Sequence, residues 1–96
     1  MYFLQLSGTI PENKQTEFEQ TFQFVRSKLP EGCSGCIFSR DVDDFHNYHF
    51  ISYWNKLDNL ESFAHSVTSQ MILGAFKTLG QLKENKSGLL IEINTR

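Results

Sequence analysis

The chain has 96 residues, room for one domain with a limited core, and its nine Lys and Arg against eleven Asp and Glu leave a net charge of −2. The basic residues are scattered, which argues against a nucleic-acid or anionic-membrane surface, and two cysteines are too few for the disulfide framework of a small secreted domain. Nine Phe, three Tyr and one Trp make 14% of the chain, and that ring area must fill a core, an interface or a pocket.

Tyr2 to Ile10 predicts a first strand, since aromatic and aliphatic residues run without a helical period until Gly8 and Pro11 punctuate the end. The start, Met1 to Gln5, lacks a signal peptide's basic leader, and no segment has the length of a transmembrane helix, so cytoplasmic residence is expected. Pro11-Glu12-Asn13 predicts a turn with Asn13 as N-cap. Phe18, Phe22, Val25 and Leu29 then recur at helical spacing on one face, and Pro30-Glu31-Gly32 stops that helix.

Cys36 to Asp41 predicts a short second strand, and Tyr48 to Trp54 a third rich in strand-favouring residues, joined by an Asp/Asn-rich hairpin loop. Asp58 with Glu61 has the form of a capping box opening a second helix. Its apolar stripe is Leu60, Ala64, Val67, Met71 and Ala75, widened by Phe63, Phe76 and Leu79. Polar residues from Ser66 to Gln70 predict a bend or break mid-helix, because such side chains compete for backbone hydrogen bonds. Gly80 ends the helix, Asn85 to Gly88 predicts a turn, and Leu89 to Asn94 predicts the last strand.

The order β-α-β-β-α-β across residues 1–96 predicts one α+β, ferredoxin-like domain: a four-stranded antiparallel sheet with helices on one face. The strands also supply apolar residues to the opposite face. A second copy of the sheet is the simplest cover for it, so a homodimer is expected.

The run Gly32-Cys33-Ser34-Gly35-Cys36, then Arg40-Asp41, Tyr53-Trp54 and Leu60-Glu61-Ser62-Phe63-Ala64-His65 resembles the antibiotic biosynthesis monooxygenase family. That resemblance implies a dimeric α+β barrel holding a small aromatic, phenolic or quinone-type ligand between sheet and helices. It further implies oxygen insertion or quinol oxidation without metal, flavin or other cofactor; a non-catalytic ligand-binding or interaction module of the same fold is the alternative. The haem-degrading branch of similar layout uses Asn, Trp and His at places that hold Ser7, Phe63 and Leu73 here, and leucine cannot ligate iron.

In the monooxygenase reading Trp54 and Phe63 stack on the ligand, and Phe76 adds a wall. His65 serves as catalytic base, since an imidazole titrating near neutrality suits proton abstraction from a phenol. Ser7 or Tyr48 contacts the ligand's oxygen. Each has a plainer role beside it: Trp54 as a core anchor, His65 as a partly exposed helix residue. His46 and His49 differ by an odd number and would face opposite sides of a strand, so no metal site is expected. Cys33-Ser34-Gly35-Cys36 follows a helix and leads into a strand, the reverse of the context that activates a redox thiolate.

Overall fold

The computed structural model describes residues 1–92 and 94. Strand β1 (Tyr2–Thr9) leads through a 3₁₀ turn (Glu12–Lys14) into helix α1 (Gln15–Ser27). Strands β2 (Cys33–Arg40) and β3 (Asn47–Trp54) form a hairpin. Helices α2 (Leu57–Ala64) and α3 (Val67–Leu79) follow, and β4 (Gln81–Leu89) closes the order. The sheet runs β2-β3-β1-β4 with every pairing antiparallel, the ferredoxin-like arrangement. Among the described residues no helix is long and apolar enough to cross a membrane.

Period-two burial on β3 is complete: Tyr48, Phe50, Ser52 and Trp54 are buried, while the residues between them are half-buried on the other face. Leu4 and Leu6 of β1 join the buried face, which α1 covers with Phe18, Phe22 and Val25 and α3 with Ile72 and Phe76. Phe18 sits 5.0 Å from Tyr48 and 4.7 Å from Phe76, centroid to centroid, and Phe22 stacks on Phe38 at 3.8 Å. Much of the ring content is therefore core.

Several local expectations change. Lys14, not Asn13, occupies the N-cap position of α1, and its side chain makes no capping bond, because the intervening 3₁₀ turn carries the chain into the helix. α2 opens one residue before Asp58 with Lys56 at the N-cap position, again with no side-chain cap, so the Asp58–Glu61 capping box does not form. The expected break is present: α2 ends at Ala64, and Ser66 caps α3 by accepting from the Ser69 N–H at 3.2 Å.

The largest difference is at the C-terminal end. The last strand is Gln81–Leu89, so the expected turn Asn85 to Gly88 lies inside it, paired with Leu6 through Phe3 of β1; of the expected strand Leu89 to Asn94, only Leu89 is in β4, and Ile93 lies outside the described residues. Antiparallel pairing needs backbone groups only, and an edge strand keeps polar side chains in solvent, which hides it from a search for hydrophobic alternation. Gly88 suits that strand for a different reason: a Cβ there would lie 2.7 Å from the Phe3 ring.

Candidate functional site

The alternation that buries Trp54 places its indole at the end of β3, beneath α2. Its Nε1–H donates to Ser52 Oγ at 2.9 Å, and its ring meets Phe63 of α2 at 5.0 Å between centroids. Around this pair lies a cavity of about 330 Å³, bounded by the end of α1, the turn before β2, α2 and the start of α3. Its lining is Lys28, Pro30, Gly32, Trp54, Asn59, Ser62, Phe63, Ser66 and Thr68. The volume falls at the small end of the ~300–1,000 Å³ typical of ligand pockets.

Local chemistry shapes that lining. Pro30 and Gly32 end α1 and turn the chain, and Gly32 has a second role: a Cβ would approach Asn59 Nδ2 to 2.8 Å, so only glycine lets that amide lie against the turn. The Ser66 hydroxyl is occupied, donating to the Phe63 carbonyl at 2.6 Å and accepting from Ser69 N–H. Among the described residues Lys28 carries the one formal charge of the lining and makes no ion pair; its Nζ lies 5.6 Å from the Phe24 ring centroid.

The other expected site residues do not converge here. Tyr48 shares a face with Trp54 but stands six residues away on β3, about 20 Å at a rise of ~3.3 Å per residue. Its hydroxyl donates to the Glu19 carboxylate and accepts from Arg40 Nη1 at 3.3 Å. Burial, and then the Glu19 bond, push its phenol above the ordinary value. Phe76 belongs to that same core region through Phe18. Ser7 lies on the opposite face of the sheet, flanked in register by His49 and Glu84, and donates to Glu84 Oε1 at 3.2 Å. His65 is exposed just beyond the end of α2, with Nδ1 2.8 Å from the Glu61 carbonyl, and is not part of the cavity lining.

The remaining candidates are also placed. His46 lies in the hairpin loop with Nδ1 3.0 Å from Asp44, while His49 meets Asp41 at 2.7 Å on the face opposite the helices. Among the described residues no three His, Cys, Asp or Glu side chains gather as a metal site. Cys33 and Cys36 are free and half-buried at the start of β2, and burial followed by the neighbouring Cys33 pushes the Cys36 thiol up, away from an activated thiolate. Lys28, Asn59, Ser62 and Thr68 escape sequence reading because each is an ordinary polar residue, and only folding brings the ends of α1 and α2 together. Pro30 and Gly32 were visible as a helix stop; nothing in that signal marks a cavity wall.

No family model matches the chain, and no curated protein matches it. Solved structures do. A variant of SnoaB, a cofactor-independent oxygenase from Streptomyces nogalater, superposes with a TM-score of 0.78 at 17% identity, covering 96% of this chain and 94% of that one. A protein from Deinococcus radiodurans named as a candidate antibiotic biosynthesis monooxygenase gives 0.74 at 15% identity, covering 99% and 100%. A Bacteroides thetaiotaomicron protein of unknown function gives 0.77 at 11%, covering 91% and 94%. The chain thus has the fold of structures named antibiotic biosynthesis monooxygenases.

Proposed function

We propose that this protein is a homodimer that binds a small planar phenol or quinol in the cavity beside Trp54 and Phe63 and oxidises it with molecular oxygen, without metal or flavin. The observation that carries the binding reading is the juxtaposition of those two rings at a cavity of ligand size. The redox reading draws on the fold shared with SnoaB, named a cofactor-independent oxygenase. With a phenol the ligand supplies four electrons, so one oxygen atom of O2 enters the ring and the other leaves as water; with a quinol, loss of two electrons and two protons gives the quinone and reduces O2 to hydrogen peroxide. Deprotonation of the phenol makes the ring electron-rich enough to react. His65, outside the lining, does not touch a ligand held there, so proton removal falls to solvent at the cavity mouth, helped by stabilisation of the phenolate.

The dimer rests on the face of the sheet that the helices leave open. Alternation puts Phe3, Ile37, Ile51 and Tyr53 together there, with Ile37 directly opposite Ile51 and Phe3 opposite Tyr53. A second sheet against this patch would remove it from water.

A non-catalytic binding module is favoured by one observation: among the described residues no imidazole or carboxylate lines the cavity. Oxygen uptake with 1-naphthol and naphthalene-1,4-diol separates the two readings. Uptake above the uncatalysed rate, abolished by Phe63→Ala and retained by His65→Ala, is the expected result. Binding without uptake establishes the module instead.

A further inference from the structure

We infer that the cavity beside Trp54 selects a planar aromatic molecule bearing a negatively charged oxygen, with Lys28 as the residue that determines this specificity. The inference rests on the cavity being the ligand site and adds the charge of its occupant. Trp54 is fully buried in the wall of the cavity and offers nothing polar, because its only N–H is held by Ser52 within the core. Ser66 is likewise committed, as donor to the Phe63 carbonyl and as cap of α3. What remains to meet a ligand's polar atom is the Lys28 ammonium, the Asn59 amide and the Ser62 and Thr68 hydroxyls. Three kinds of hydrogen-bond donor and a positive charge therefore stand beside an apolar wall.

The acidic side chains nearest in sequence, Glu31 of the turn and Asp58 and Glu61 of α2, all lie outside the lining. An uncharged ligand would leave Lys28 uncompensated where water is partly displaced, and a cationic one would be repelled. A carboxylate or phenolate on the ring edge pairs with the ammonium while the ring occupies the cavity that Trp54 and Phe63 help to line, so the charge is desolvated only with a partner present. Lys28 is exposed and contacts Phe24 only through its ring, which leaves its flexible stem able to swing toward the ligand.

The test uses the full chain and three probes of matched size: 4-nitrobenzoate, 4-nitrophenolate above its pKa, and uncharged 4-nitrobenzamide. Binding is followed by calorimetry and by quenching of Trp54, the chain's only tryptophan. At least one anion binds about three- to tenfold more tightly than the amide, a range set by a partly exposed charge-assisted contact. That preference shrinks with added salt. Lys28→Met abolishes it, and Lys28→Arg, which keeps the charge, restores it. Which of the two anions binds more tightly assigns the charged oxygen to a carboxylate or a phenolate. Equal binding of all three probes, or a preference that survives Lys28→Met, overturns the charge selection while leaving the cavity a ligand site. Failure of every probe to bind overturns the ligand site itself, and the inference with it.

Discussion

The indole N–H of Trp54 donates to the hydroxyl of Ser52, two residues earlier on the same face of β3, at 2.9 Å, with both residues fully buried. A strand that buries every second residue brings the pair side by side, and the serine supplies the acceptor that a buried indole needs. Ser52→Ala leaves that N–H without a partner in an apolar core, at a cost of about 1–3 kcal/mol. Urea unfolding measures it. Trp54→Phe should cost less in the Ser52→Ala background than in the native chain, since it removes the orphaned group. Strict additivity of the two substitutions would show that the hydrogen bond carries no coupling.

Tyr48 makes stability fall at alkaline pH. Burial and the bond to Glu19 raise its phenol above the ordinary ~10 of an unfolded chain, so the folded state holds that proton more tightly. The contribution is complete below the unfolded value and is lost as pH rises from there through the higher folded value. Phenolate absorbance should show a tyrosine ionising above the ordinary range, absent in Tyr48→Phe, and the variant's stability should decline less steeply over the same window. Glu19 also lies 3.6 Å from Arg40 in the native chain, a partner that the substitution leaves in place, so its cost near neutrality should be about 1 kcal/mol. An unchanged phenolate titration would contradict the assignment.

Two glycines mark where the α3–β4 junction crosses the end of β1. A Cβ at Gly80 would stand 1.9 Å from the Thr9 carbonyl oxygen, and one at Gly8 would stand 2.2 Å from that of Gln81. Both obstacles are backbone and cannot swing aside, so Gly80→Ala and Gly8→Ala should each destabilise by about 2–3 kcal/mol. Gly74, inside α3, meets nothing within 4 Å, and Gly74→Ala should stabilise by up to about 1 kcal/mol through helix propensity alone. Thermal melts of the three variants check the contrast. A neutral Gly80→Ala would mean that the junction tolerates displacement.

Ile51 sits at the centre of the uncovered sheet face, with Gln5 on one side in register and Ile37 on the other. Ile51→Glu places a charge where a second sheet would pack, and sedimentation should show a native dimer converted to monomer. Circular dichroism should remain that of the folded chain, because the side chain lies away from the helices. A monomeric native protein would remove the barrel from the proposed function.

Much of the architecture was legible locally. The spacing of Phe18, Phe22 and Val25 announces α1, the dense run Tyr48 to Trp54 announces β3, and the polar residues after His65 announce the break that Ser66 caps. In each case neighbours in sequence are also neighbours in the hydrogen-bonding or burial pattern, so periodicity suffices. The helix starts were less legible, because Asn13 and Asp58 look like caps but the chain enters each helix from another residue.

What only tertiary structure decides is which distant residues meet. β4 is a polar edge strand held by the backbone of β1, and its residues carry no pattern that betrays it. Trp54 and Phe63 come together because the end of β3 lies under α2, whereas Tyr48, on the same face of the same strand, is carried to the opposite end of the core. Lys28, Asn59 and Ser62 become cavity walls through the packing of three helix ends around a turn. The sequence by itself determines the order of the elements and the placing of β1, α1, β3 and the broken second helix, since those depend on short-range sterics and hydrophobic period. The composition of the site depends on contacts between residues far apart in the chain, which no local pattern encodes.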